Sequence, residues 1–310
     1  MARLSKVVAA VLLSTSVVFA SSNPDWTAPL EPFHIAGNLY YVGSRDLAAY
    51  LIVTPRGNIL INANLESSPP LIRQSVEKLG FKWSDTAILL SSQAHFDHVG
   101  GAAEVQRETH AKYMVMDSDV KVVESGGAAS FDLPDMHFPK AHVDRVLHDG
   151  DAIRLGGSEI IAHKTAGHTE GCTSFTFRVK EDGRPFDVVI VGGWSSNPGV
   201  RYVAADGKLP SYPSIEQDFR HTFKTLAHLH VDIFLGAHGV YFGLLPKLEH
   251  GARTNPSLWI DPTGFHKALA AKQGLFEHEV DKEKRTSDSK LEVQEGRVLV
   301  HQNQGGEENQ

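Results

Sequence analysis

Between Ser91 and Gly101 the chain reads Gln93-Ala-His95-Phe-Asp97-His98, so a carboxamide, two imidazoles and a carboxylate fall within six residues. The apolar run Thr86-Ala-Ile-Leu-Leu90 comes just before this cluster and Gly100-Gly101 just after it. A short apolar run bounded in this way reads as a buried strand, which puts the cluster where the strand gives way to a loop. Nitrogen and oxygen donors gathered at a strand end suit zinc, which takes His and carboxylate ligands and keeps an open position when it is catalytic. The simpler alternative is a polar turn that caps a helix starting near Gly101, but turn chemistry does not account for the alternation His-x-Asp-His.

Two further histidines stand in similar settings. Ala166-Gly-His168-Thr169 follows a strand expected near Ile160, and Gly236-Ala-His238-Gly239 follows an apolar run at Val231–Leu235. In each the histidine sits beside glycine, where the backbone can bend closely around an ion. With 17 histidines in the chain, either one alone is weak evidence, and the argument rests on three strand ends acting together. Gln93, His95 and His168 can then hold one zinc, and Asp97, His98 and His238 a second. Two such ions roughly 3.5–4 Å apart share a water that deprotonates near neutral pH, a nucleophile that needs no serine or cysteine. Gly-x-Ser-x-Gly is absent, which removes support for a serine-hydrolase elbow. The single cysteine, Cys172, lies four residues after His168 and is expected to be a small buried packing residue rather than a ligand.

Around these clusters the pattern alternates strands and helices. Strands are expected at Leu39–Val42, Ala49–Val53 and Ile59–Ile61, at 86–90 and 113–116, and again at 153–155, 158–163, 174–179, 188–191 and 231–235. Helices are expected at about 71–79, 102–109, from near Ser118, from a Ser214 cap to about His230, and from Pro262 to about Lys284. Strands, a metal-type cluster and a helix thus occur twice in succession, the pattern of two related α/β halves packed sheet on sheet with helices outside. Residues 1–20 carry Arg3 and Lys6, a short apolar core and a small-residue end at Val18-Phe-Ala20, and read as a secretory signal peptide. Residues 21–284 form one domain of two similar halves, and the polar stretch 285–310 is expected to be a frayed tail. A net charge of −7, with no basic stripe, gives no basis for nucleic-acid binding. Once the leader is removed, no membrane attachment is expected.

Taken together, these segments resemble the metallo-β-lactamase superfamily, whose hallmark is His-x-His-x-Asp-His at a strand end, and within it the subclass B3 zinc β-lactamases. The similarity runs over residues 30–275. It includes Ala-Gly-His168-Thr, Ser196-Asn-Pro-Gly199, Tyr212-Pro-Ser-Ile-Glu-Gln-Asp-Phe-Arg220 and Gly-Ala-His238. The resemblance implies a four-layer αββα sandwich with two zincs at one edge, held by Gln93, His95 and His168 and by Asp97, His98 and His238. It also implies a zinc-bound hydroxide that opens a β-lactam, Asp97 as a zinc ligand and catalytic residue that helps orient it, Ser196 as a contact for the substrate carboxylate, and a periplasmic or secreted location. The chain departs from the family in three places. Gln93 replaces the first motif histidine and is a poorer zinc donor. Trp194 stands where a serine is common, and a bulky indole there is expected to narrow the groove. Asn62 replaces an aspartate at a strand end. Glyoxalase-type thioesterases and lactonases of the same fold carry an additional bridging acid at the end of the strand after the third histidine. Here that strand ends Val-Gly-Gly-Trp194. A zinc-binding scaffold without catalysis is the remaining alternative, and it conflicts with only three ligand candidates per ion.

Overall fold

In the computed structural model residues 23–205 and 207–304 are described, with side chains through Thr286. The expected signal peptide, residues 1–20, lies outside them. The first sheet has seven strands in chain order: β1 (Phe33–Ala36), β2 (Leu39–Tyr41), β3 (Tyr50–Thr54), β4 (Gly57–Ile61), β5 (Thr86–Leu90), β6 (Lys112–Met116) and β7 (Arg145–Leu147). Its first four strands run antiparallel and β4 to β7 run parallel. Parallel neighbours need a crossover. Helix α1 (Pro69–Lys78) supplies it between β4 and β5, α2 (Phe96–Val99) and α3 (Ala102–Thr109) between β5 and β6, and α4 (Val120–Ser125) between β6 and β7.

The second sheet contains β8 (Ala152–Leu155), β9 (Ser158–Lys164), β10 (Thr173–Glu181), β11 (Arg184–Val191) and β12 (Ile233–Gly236), in the spatial order β12-β11-β10-β9-β8. Helix α5 (Ile215–Ala227) carries the chain from β11 to its parallel neighbour β12. Two short helices, α6 (Gly239–Phe242) and α7 (Leu244–Glu249), lead to the long α8 (Pro262–Gln304).

The period-2 alternation of the first sheet sorts its side chains into two layers. Tyr50, Ile52, Ile59, Ile61, Ile88, Leu90, Met114 and Met116 join Phe175, Phe177 and Ile190 of the second sheet in the larger core. The intervening Leu51, Leu60, Leu89, Tyr113 and Val115 pack with Ile72 and Val76 of α1 and Val105 of α3. Helices α5 and α8 close the other side, with the Phe219 and Phe276 rings stacked at 5.3 Å. The expected αββα sandwich is therefore present. β9, β11 and β12 point the same way, so their C-terminal ends open onto one edge.

Two local expectations need correction. The helix expected to stop near Lys284 runs on to Gln304, through a stretch expected to fray. The added stretch holds Lys, Glu, Gln, Arg and Leu, all good helix formers. Ser214 does occupy the N-cap of α5, but its hydroxyl bonds the Asp218 carboxylate at 2.8 Å rather than a backbone N–H. No described helix is long and apolar enough to cross a membrane.

A buried acid ties the two sheets together beside the edge. Asp119, just before α4, accepts from the Thr169 hydroxyl and the Gly171 N–H, both at 2.8 Å, and from the Ala94 N–H. Burial raises its pKa to about 6 against the pull of those donors. This works only because position 171 has no side chain: a Cβ there would lie 2.5 Å from the Asp119 nitrogen and 2.7 Å from its Cγ. Gly171→Ala is therefore expected to cost about 1–3 kcal/mol, the usual range for overpacking. An unchanged urea midpoint would show that Asp119 and its loop can move aside.

Candidate metal centre

The strand-end cluster begins where β5 stops. Asn62, fully buried and held in the left-handed region at φ 68°, accepts the Ser92 N–H on Oδ1 at 2.9 Å and donates to the Ala48 carbonyl at 3.4 Å. Asparagine tolerates that backbone conformation and can both accept and donate, so Asn62 supports the backbone leading to Gln93. His95 then caps the single turn of α2 with extended backbone. That turn carries Asp97 and His98, while the His98 carbonyl accepts from the Ala63 and Asn64 N–H groups. His168 lies in the β9–β10 loop, its ring packed against Gly193, where a Cβ would approach the imidazole to 2.7 Å. His238 follows β12. The preceding Gly236 carbonyl accepts the buried Tyr50 hydroxyl at 2.7 Å, so the first sheet fixes the height of this loop.

Five of the six predicted ligands meet in two groups. Asp97, His98 and His238 present ligand atoms that all lie within 4.8 Å of one another. The two Nε2 atoms are 3.1 Å apart, and Asp97 Oδ2 is 3.4 and 3.5 Å from them. In the other group His95 Nδ1 lies 3.2 Å from His168 Nε2. Gln93 lies two residues before His95: its amide nitrogen donates to the Gly192 carbonyl at 3.2 Å, and its Oε1 is buried without a partner.

The outer ring nitrogens show what the inner ones can do. His95 Nε2 faces Asp132 Oδ1 at 3.1 Å, His238 Nδ1 faces Asp46 Oδ2 at 3.0 Å, and His168 Nδ1 faces the Ser195 carbonyl. Ionised carboxylate and carbonyl oxygens only accept, so each of these nitrogens carries the proton and the inner nitrogen keeps its lone pair. Two lone pairs aimed at each other across 3.2 Å, at His95 and His168, repel unless a proton or a cation lies between them. Burial drives the His98 pKa well below its usual value, and burial together with His95 brings His168 down to about 3, so both are neutral donors. Burial also opposes charge on His95, but the Asp132 hydrogen bond and charge outweigh it and raise that pKa. Burial likewise opposes ionisation of Asp132, and His95, Asn197 and Ser130 outweigh it, bringing the acid to about 2. The donor set is neutral nitrogen, amide oxygen and one carboxylate, with open positions, and it fits zinc.

One further expectation turns out differently, and another holds. Trp194 is 1% exposed and packs on Phe234 and Tyr241 at 5.5 and 5.6 Å, so the indole fills the core instead of narrowing the groove. Cys172 is buried, its thiol directed at the Gly193 carbonyl, as a packing residue should be. The Ser196 hydroxyl pairs with Tyr202 OH at 2.7 Å. Asp46 and Asp132 escaped the sequence reading; they reach their histidines across 192 and 37 positions, and no local spacing marks either. A second acidic group, Asp187, His230 and Asp232, lies midway along β11 and just before β12, away from this edge. Arg178 already grips Asp187 at 2.8 and 3.2 Å, and His230 lies 2.9 Å away, making it a surface ion-pair network.

The model of the metallo-β-lactamase superfamily matches residues 46–238, from the acid behind His238 to His238 itself. The chain belongs to the metallo-β-lactamase superfamily. Among solved members, the FEZ-1 metallo-β-lactamase of Legionella gormanii is 46% identical, with a TM-score of 0.79 over 83% of this chain and 98% of that one. The class B3 di-zinc metallo-β-lactamase LRA-12, from an Alaskan soil metagenome, is 36% identical, with a TM-score of 0.78 over 84% and 97%. A hydroxyacylglutathione hydrolase of Rhodopseudomonas palustris is 28% identical over 133 residues, 43% of this chain. This chain spans only 44% of that hydrolase's length.

If Gln93 is a ligand, Gln93→His replaces an amide oxygen by a better zinc donor. Zinc at the Gln93–His95–His168 group is then expected to survive a chelator concentration that strips it from the wild type. Equal retention in the two proteins, measured as zinc per chain after dialysis, would remove Gln93 from the ligand set.

Proposed function

We propose that the protein is a zinc-dependent β-lactamase that hydrolyses the lactam amide of penicillins, cephalosporins and carbapenems. The observation that carries this reading is the convergence of two donor groups, Asp97–His98–His238 and His95–His168 with Gln93, at one edge of a chain 46% identical to FEZ-1. Zinc bound there supplies Lewis-acid polarisation of the carbonyl and lowers the pKa of a water into the physiological range.

The chain's own groups do the rest. Asp97 is the carboxylate at the inner face of the edge, placed to orient the attacking water and to accept its proton. Asp46 keeps His238 Nδ1 protonated, with Trp26 Nε1 and the Val240 N–H donating to the same acid at 3.0 Å each. Ser196 and Tyr202, paired at the rim, offer hydroxyls to a substrate carboxylate. The loops 126–144 and 192–205 flank the edge and shape the choice among lactams. A periplasmic or secreted location, after cleavage near Ala20, fits enzymes that meet such substrates outside the cytoplasm.

The likeness to hydroxyacylglutathione hydrolase favours a thioesterase as second reading. Against it, β11 ends Val191-Gly-Gly-Trp194 with no acid to bridge two ions.

Zinc content by mass spectrometry, together with turnover of a chromogenic cephalosporin, a penicillin, a carbapenem and a glutathione thioester, separates the two. Zinc with lactam turnover is expected; zinc with thioester turnover alone overturns the proposal. Asp97→Ala is expected to lower kcat/KM at least about 100-fold, the lower end for loss of a general acid–base group. Wild-type turnover in that variant would remove Asp97 from the chemistry.

A further inference from the structure

Asp132 makes more of its surroundings than the zinc reading requires. Its side chain is 4% exposed, although it sits in the loop between α4 and β7. Oδ1 accepts from His95 Nε2 at 3.1 Å and from the Ser130 hydroxyl at 2.8 Å, while Oδ2 accepts from Asn197 Nδ2 at 2.8 Å. Asn197 belongs to the opposite wall of the edge, the segment after β11. The neighbouring residue, Phe131, makes a second bridge to that side, its ring edge-on to Tyr212 at 4.8 Å. Two consecutive residues therefore fasten one wall to the other, and one of them also holds a ligand.

We propose that Asp132 is a positioning residue that fixes which nitrogen of His95 faces the metal and, through Asn197, joins the two walls so that filling the Gln93–His95–His168 site and closing the loops over it are one equilibrium. The proposal rests on the zinc reading above and adds to it a residue and a coupling.

The argument runs through the imidazole. With Nε2–H donated to Asp132, Nδ1 is left as a lone pair 3.2 Å from His168 Nε2. A cation at that point withdraws charge from the ring and makes Nε2–H a stronger donor, so the bond to Asp132 tightens as the metal binds. A carboxylate behind a ligand also raises the basicity of the ring, an effect usually worth 10–100-fold in metal affinity. The aid matters most at this site, because Gln93 contributes only a neutral amide oxygen and the group contains no carboxylate ligand of its own. The second oxygen of Asp132 is tied to Asn197, so order in the walls and order at His95 reinforce each other. Coupling of this kind is reciprocal: whatever factor loop closure adds to zinc affinity, zinc adds to loop closure.

The test uses the full chain and zinc alone as ligand, titrated against a chromophoric chelator, with His168→Ala marking which of the two binding steps belongs to this site. Asp132→Asn preserves shape and one acceptor but removes the charge. It is expected to weaken that step about 10–100-fold and to leave the Asp97–His98–His238 step within twofold. Asn197→Ala keeps the carboxylate on His95 and is expected to weaken the same step by a smaller factor. Adding zinc to the wild type is expected to slow amide hydrogen exchange over 126–144, and the slowing should shrink in Asn197→Ala. Unchanged affinities in Asp132→Asn overturn the positioning role. Equal loss at both steps with a lowered melting temperature assigns Asp132 to plain stability and overturns it as well. Exchange over 126–144 that ignores zinc overturns the coupling. None of these readouts needs a lactam: a wild type that takes up no zinc sinks this proposal together with the functional one, whereas two zincs bound identically by the wild type, Asp132→Asn and Asn197→Ala sinks only this one.

Discussion

Of the four imidazoles crowded at one edge of this sandwich, three require an acceptor behind the ring to aim the lone pair inward. That requirement shapes everything around the edge. Asp132 takes the N–H of His95, Asp46 that of His238, and the Ser195 carbonyl that of His168. His98 is the exception, with Nδ1 buried and unpartnered. A buried polar nitrogen left unmatched costs about 1–3 kcal/mol, so the fold carries a penalty here that a ligand at Nε2 can offset. Turning any of the three outer partners away would rotate a lone pair out of the edge and leave another group in the same unfavourable position.

The partners are long-range because the rings come from separate strand ends and the acids must come from elsewhere. Asp46 lies between β2 and β3, in a loop whose backbone also pairs with the segment around His238: the Ala48 N–H reaches the Ala237 carbonyl, and the Gly239 N–H reaches the Asp46 carbonyl. Asp119 bonds the His168 loop through Thr169 and Gly171 and the segment between Gln93 and His95 through Ala94, and Tyr50 spans the core to Gly236. These polar links run between two sheets whose shared interior is otherwise aliphatic and aromatic. The hydrophobic layers set the spacing of the sheets, and the few buried hydrogen bonds set the register of their ends, which is the tolerance a metal site demands.

Much of this was legible in the sequence, and the parts that were not share a cause. The strands at 86–90 and 113–116, the helix at 102–109 and the three histidine-bearing ends announce themselves through spacing along the chain. Asp46 and Asp132 announce nothing, because an acid that closes a hydrogen bond to a residue 192 or 37 positions away leaves no periodic trace. Trp194 was misjudged for a related reason: the residue after a pair of glycines can turn to either side, and only the pocket between Phe234 and Tyr241 decides that the indole goes inward. Asn62 stands where the family usually has an aspartate. Its left-handed backbone and its double hydrogen bond to Ser92 and Ala48 give the position a reason to be asparagine.

The two donor groups are built on one plan and differ by one charge. Each pairs two imidazoles at about the same distance, 3.2 Å in one and 3.1 Å in the other, and each has a carboxylate behind one ring. Asp97 then adds an ionic ligand to one group, where the other has the amide of Gln93. A dication gains far more from a carboxylate in a buried setting than from an amide dipole, so the groups are unequal in affinity by construction. On the proposed ligand sets, the site with Asp97 would hold its ion through dilution, and the site with Gln93 would be the one whose occupancy responds to the state of the surrounding loops. A weak site walled by tethered loops is open to modulation by whatever enters the groove, whereas a tight one is not. On this view the exchange of histidine for glutamine at position 93 moves control of one metal from the ligand itself to the acid and amide that stand behind it.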